Sequence, residues 1–242
     1  MFIMLDAIDG GGKGTVIEAW KDYITSQGNP LFDLKNYWQQ NNKYPEIEEL
    51  RSYDFIFTAE PTYVGIGQTI REELIRTGTI YPPEAIAQAY SLDRLVLYEK
   101  IILPCLAQDK FIIQDRGFST SLAYQNAQNK KLTFEKLLSL PGNSLALKNR
   151  PDYLILLTTE PEEAMRRLDA RGDKKDNVVF ENLDFQKKTA ATFMSPGYQE
   201  IFTQAGTKII YLSTMGEIDI IKQKAKDLLA SIIKNDLKDS KI

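Results

Sequence analysis

The first residues able to do chemistry are Asp9-Gly10-Gly11-Gly12-Lys13-Gly14-Thr15, a glycine-rich run ending in a cation and a hydroxyl. Glycines let a backbone approach phosphate oxygens and turn its N–H groups toward them. Lys13 offers a point charge to β and γ phosphates, and a helix starting beside it adds its N-terminal dipole. The run departs twice from the pattern G-x-x-x-x-G-K-[ST]. Ala7 stands at the first glycine, and Gly14 takes the last position, with the hydroxyl displaced to Thr15. Thr15 is then the magnesium ligand expected from the loop. The bland alternative is a strand-to-helix turn with an incidental lysine. The apolar run before the motif and the helical pattern after it favour a phosphate loop, which by itself says only nucleoside triphosphate binding.

A second candidate is Asp115-Arg116, at the end of the apolar run Phe111–Gln114. An acid at a neighbouring strand end can hold magnesium, directly or through water, and the arginine offers a planar fork to a phosphate. Alone, the pair would read as a surface ion pair. Arg71, Arg94, Arg167 and Arg171 add cations outside the loop, as phosphoryl transfer between two nucleotides requires. There is no Asn-Lys-x-Asp guanine loop, which argues against a GTPase switch.

Composition removes other mechanisms. With no histidine there is no Ser-His-Asp triad and no histidine-ligated metal. The one cysteine, Cys105, lies in an apolar setting and reads as a buried hydrophobe in a reduced, cytoplasmic protein. Lys plus Arg is 30 against 33 Asp plus Glu, a net charge of −3 that speaks against nucleic acid or an anionic membrane as partner. No apolar run approaches the roughly 18 residues of a membrane span, and the N-terminus reads as a strand rather than a signal peptide.

These residues need elements to position them. The runs Phe2–Ile8, Asp54–Thr58, Phe111–Gln114, Tyr153–Thr158 and Ile209–Leu212 are nearly all apolar, as strands covered on both faces are. Helical spacing runs through Thr15–Thr25, through a long segment opened by Pro82 and Pro83 and reaching Ala107, where Pro104 is expected to disturb the last turn, and through Glu162–Ala170, Phe185–Gln204 and Ile218–Lys234. The alternation predicts an α/β fold with a parallel sheet and right-handed crossovers, one domain over residues 1–242. Two stretches stand apart. Residues 29–50 are polar and aromatic and read as an inserted surface helix or loop. Residues 169–182 are charged and Gly-containing, as a lid would be.

Taken in order, these segments resemble the thymidylate kinase family over most of the chain. The resemblance rests on Asp6-Ala7-Ile8-Asp9-Gly10-Gly11-Gly12-Lys13, on Glu60-Pro61-Thr62 with Gly67 and Ile70-Arg71-Glu72, and on Tyr90-Ser91-Leu92-Asp93-Arg94. It continues through Asp115-Arg116 to Ala123-Tyr124-Gln125, then Pro151-Asp152 and Arg167-Leu168-Asp169-Ala170-Arg171-Gly172. It implies a three-layer P-loop kinase fold, with a five-stranded parallel sheet between helices and a short lid, usually as a homodimer. The activity implied is ATP:dTMP phosphotransfer with Mg²⁺, part of dTTP synthesis. Its rival within the class is a kinase for another deoxynucleotide or nucleoside, and a rival of another class is a non-catalytic nucleotide-binding or regulatory protein on the same scaffold. By the same resemblance Gly10, Gly11, Gly12, Lys13, Gly14 and Thr15 bind ATP, and Thr15 and Asp115 serve magnesium. Asp9 contacts the sugar 3′-hydroxyl, Tyr90 stacks on thymine, and Arg94 bonds the edge of the base. Arg116 binds the acceptor phosphate, Ser121 lines the base pocket, and Tyr124 occupies the place of a ribose 2′-hydroxyl. Arg167 and Arg171 act from the lid, because Gly10 stands where some members carry arginine. The family's arginine before Glu-Pro is Ala59 here, which makes Arg71 the candidate for that contact, and Gly117 replaces an aromatic.

Overall fold

The computed structural model describes residues 1–170, 180 and 182–239, with side chains described as far as Lys234. Its strands are β1 (Phe2–Asp6), β2 (Leu31–Asp33), β3 (Phe55–Ala59), β4 (Phe111–Asp115), β5 (Tyr153–Thr158) and β6 (Lys208–Ser213). The helices are α1 (Lys13–Ser26), α2 (Leu34–Asn41), α3 (Ile66–Thr69), α4 (Pro83–Leu97), α5 (Leu103–Leu106) and α6 (Phe118–Gln128). They continue with α7 (Phe134–Leu138), α8 (Pro141–Lys148), α9 (Pro161–Ala170), α10 (Leu183–Phe193), α11 (Pro196–Gln204) and α12 (Ile218–Asp239). The strands form one parallel sheet in the order β2-β3-β4-β1-β5-β6.

The apolar runs divide their side chains between two cores, as a strand's two-residue period demands. Phe2, Met4, Ile56, Ile112, Leu154 and Leu156 face one layer of helices. Ile3, Leu5, Phe57, Ile113, Ile155 and Leu157 face the other, where Trp20 of α1 donates its indole N–H to the Ala225 carbonyl of α12 at 2.8 Å. Three layers result.

The sheet has six strands, not five. The extra strand is β2, which pairs parallel with β3 through Leu31↔Phe55 and Asp33↔Phe57. Residues 29–50 therefore extend the sheet by an edge strand and follow it with α2, instead of lying on the surface as a plain helix or loop. The expected helix Phe185–Gln204 is two helices. Pro196 ends the first ladder and opens the next, since it lacks an N–H and favours a helix's first turn. The segment after Pro83 stays helical through Pro104, with a wider π turn at Tyr98–Ile102 just before the proline. Among the described residues no helix is long and apolar enough to cross a membrane. The expected lid, 169–182, lies outside the described residues except for Asp169, Ala170, Phe180 and Asn182.

Candidate active site

Parallel strands end together, so Asp6, Ala59 and Asp115 reach the same carboxyl edge, with Ala59 and Leu5 both in register with Asp115. That edge is where open α/β sheets bind ligands. A cleft of about 720 Å³ opens there. Its walls include Asp9 to Gly14, Arg71, Tyr90, Arg94, Asp115, Arg116, Ser121 and Tyr124. Residues spread over more than a hundred positions thus meet in one place. Thr15 and Arg167 are not among the lining residues, and Arg171 lies outside the described residues.

The loop after β1 turns on glycines: Gly10 and Gly12 have φ of 74° and 88°. The Gly11 N–H donates to the Ile8 carbonyl at 3.1 Å. The Gly11 carbonyl accepts from Thr159 and Thr214, at the ends of β5 and β6, at 3.1 and 2.9 Å. Two strands away from the cleft thereby pin the loop's backbone. Helix α1 begins at Lys13 with no acidic residue in its own first turn, so nothing within the helix neutralises its positive end. The Lys13 ammonium folds back onto the carbonyls of Ala7 and Ile8, at 3.3 and 3.2 Å. Burial lowers its pKa to about 8, with Arg116 adding repulsion against the pull of the nearby carboxylates.

Gly10 faces helix α9. A Cβ built there would stand 2.2 Å from the Ala164 carbonyl oxygen. This explains why the position is bare: neither an arginine nor any other side chain fits between the loop and α9.

Arg116 sits just past β4 with a left-handed φ of 65°, a conformation that a bulky residue holds only when its surroundings demand it. Its guanidinium donates to Asp9 Oδ1, lies 3.7 Å from Asp6 Oδ1, and stands 5.1 Å from the centre of the Tyr124 ring. Asp6 is fully buried. Burial raises its pKa, while Arg116, Lys13 and the hydroxyls of Ser119 and Thr120 pull it back. Asp115 differs: its Oδ1 is buried at the cleft wall with no partner among the described residues. An unpartnered carboxylate oxygen among phosphate-loop groups suits a hard divalent cation such as Mg²⁺.

The other half of the cleft is built on β3. Glu60 is held by Arg94 at 2.6 Å and by the Gln114 amide at 2.7 Å, and burial raises its pKa to about 7. Arg94, 1% exposed, also donates to Ser121 Oγ at 2.9 Å and to Asn143 Oδ1, and its Nε has no partner among the described residues. Arg94 is thus both a wall of the cleft and a buried tie between β3, α4, α6 and α8. Arg71 donates Nε to the carbonyls of Pro61 and Thr62 at 3.0 and 3.1 Å, and its guanidinium lies 3.8 Å from the Tyr63 ring centre. Tyr124 packs edge-on against Phe180 and Phe185. Arg167 is bound elsewhere, to Glu163 and to the Thr214 carbonyl, both at 2.8 Å.

Two glutamines join the site that were given no role from the sequence, although Gln125 closes the Ala123-Tyr124-Gln125 stretch. Gln125 lines the cleft 2% exposed, and both its amide atoms lack partners among the described residues. It follows Tyr124 directly and presents one donor and one acceptor, the chemistry that reads the edge of a base. Gln186, on α10, bonds Asp9 through both backbone and side chain. No motif links residues 177 positions apart, so nothing in the chain points to this pair.

The family model described as thymidylate kinase matches residues 43–225. A probable thymidylate kinase of Thermococcus kodakarensis is 30% identical over 96% of this chain and 98% of its own length. One from Pyrococcus horikoshii is 34% identical over 71% of each chain. A thymidylate kinase of Kosmotoga olearia is 25% identical over 97% of this chain and 98% of its own.

Proposed function

The chain belongs to the thymidylate kinase family, and from that membership we propose that it transfers the γ-phosphoryl group of ATP to dTMP, yielding ADP and dTDP. The observation that carries this reading is a single cleft holding a phosphate loop, the Asp115–Arg116 strand end and the Arg94–Ser121–Tyr124 wall. Gly10 to Gly14 and Lys13 take the ATP phosphates. Arg116 receives the acceptor phosphate and lines it up for in-line transfer. Asp9, fixed between Arg116 and Gln186, accepts the 3′-hydroxyl. Tyr90 stacks on thymine. Arg94, Ser121 and Gln125 read its edge. Tyr124 fills the space of a 2′-hydroxyl.

Asp115 is the residue that would hold Mg²⁺, with Thr15 the loop hydroxyl nearest in sequence. The cation would offset charge on the bridging phosphate oxygens. Arg171 and Arg167 act from the lid, Arg167 after release from Glu163. A homodimer, which sedimentation equilibrium measures directly, completes the proposal.

A coupled assay of wild-type protein with ATP and a panel of dTMP, dUMP, UMP and dCMP tests the reading. The highest kcat/KM is expected for dTMP. Turnover favouring another monophosphate would reassign the acceptor. Binding of ATP without turnover of any acceptor would point to a regulatory role.

A further inference from the structure

The cleft has an arm that the roles above do not use, built by the chain's own inserted segment. Strand β2 runs parallel to β3, so its end lies at the same edge as the phosphate loop, and α2 starts there. Asp33 caps that start by accepting the Lys35 N–H at 3.0 Å. Positions four apart share a helix face. Leu34 and Trp38 point into the core, while Lys35 and Gln39 line the cleft. The Lys35 ammonium lies 5.2 Å from the centre of the Tyr63 ring, the same ring that Arg71 covers.

We propose that Lys35 is a ligand for the phosphate group of the monophosphate acceptor. A doubly charged phosphate entering a cleft rimmed by Asp9, Asp115 and Glu60 needs cations beyond Arg116, which Asp6 and Asp9 already engage. Arg71 has Nε and one terminal nitrogen committed to backbone carbonyls. Lys35 is on the wall with no carboxylate within 4.0 Å among the described residues. Its flexible stem and compact charge suit reaching into the cleft for an oxyanion. The contact belongs to the acceptor and not to ATP, because two strands, β3 and β4, separate β2 from the β1 loop in the sheet.

This inference rests on the proposed function, so turnover of dTMP by the wild type is measured first, and its absence overturns both. With turnover established, Lys35→Ala is compared with wild type and Lys35→Arg. Removing the charge should raise the KM for dTMP by about tenfold or more, as loss of a charge-assisted contact does. The KM for ATP should stay within about twofold, and the arginine variant should recover most of the loss. Thymidine, which lacks the phosphate, serves as competitive inhibitor, and its Ki should be unchanged in Lys35→Ala. A dTMP KM that does not move, or an equal rise in the thymidine Ki, would overturn the role of Lys35 while leaving the kinase reading intact.

Discussion

Gln186 grips Asp9 twice: its Oε1 accepts the Asp9 N–H at 3.0 Å, and its Nε2 donates to Asp9 Oδ2 at 3.1 Å. The same amide donates to the Phe180 carbonyl at 2.8 Å. One buried side chain of α10 therefore ties the head of the phosphate loop to Phe180, a residue of the expected lid. Gln186→Ala should lower kcat/KM for dTMP by about 1.5–3 kcal/mol, the value of hydrogen bonds to a charged group. The KM for ATP should change much less. Equal losses on both substrates would mean that Gln186 only supports the fold.

Gly10 should tolerate no side chain. Gly10→Ala combines a left-handed backbone, costing about 1–2 kcal/mol, with a Cβ 2.2 Å from the Ala164 oxygen. Overpacking of that kind adds about 1–3 kcal/mol. A chain of this size loses about 2–4 °C per kcal/mol, so a thermal melt should fall by on the order of 10 °C. An unchanged melting temperature would mean that α9 does not press on the loop.

Lys13 supplies a pH dependence whose sign is fixed by burial. Its pKa is lowered from 10.5 to about 8 in the unliganded protein. Triphosphate favours the charged form, so ATP binding should take up a proton above pH 8 and weaken as pH rises through that value. For the free protein the unfolded lysine keeps its proton to higher pH than the folded one. This group's contribution to stability should therefore increase between pH 8 and 10.5. Calorimetry at pH 8.5 in buffers of different ionisation enthalpy reads the uptake, which Lys13→Met should abolish. Buffer-independent heats in the wild type would refute it.

Arg94 and Arg116 should fail in different ways. Arg94→Ala strands the buried Glu60, and breaking such a pair costs about 3–5 kcal/mol of stability. Arg116→Ala removes a cation from the cleft wall and should cost about 2–3 kcal/mol in kcat/KM for dTMP, with the ATP KM nearly constant. Denaturant melts beside steady-state kinetics separate the two. A stable, well-folded Arg94→Ala would contradict its role as a tie.

Tyr124 should govern the sugar. Its ring lies beneath Arg116 and against Phe180 and Phe185, where it would crowd a 2′-hydroxyl. Tyr124→Ala should raise the kcat/KM ratio of UMP to dUMP, a pair differing only at the 2′ position. A constant ratio would make the ring a packing element and leave sugar choice to Asp9.

The edge that carries the candidate site was legible because its parts sit at the ends of continuous apolar runs. Lys13, Asp115 and Arg116 follow strands that have to be buried on both faces, and parallel strands bring their ends together. The parts that escaped have no local pattern. Leu31–Asp33 is three residues long, too short for periodicity to mark, yet it adds a strand and aims α2 at the cleft. Pro196 splits a helical pattern whose apolar spacing continues across it. Arg167 looks like a free lid cation in the chain, but Glu163 one turn earlier captures it. Gln186 is an ordinary amide until burial makes its partners informative, and Gln125, though it ends the Ala123-Tyr124-Gln125 stretch, shows its potential only through its buried, unpartnered amide.

The proposed reaction is transfer of a phosphoryl group from ATP to the phosphate of dTMP. The most direct measurement supplies ATP labelled in its γ-phosphoryl group together with Mg²⁺ and dTMP, and separates the products. The label should appear in the β-phosphate of dTDP in step with ADP formation, and Lys13→Ala should abolish it. Label released as inorganic phosphate, with dTMP recovered unchanged, would rule that transfer out.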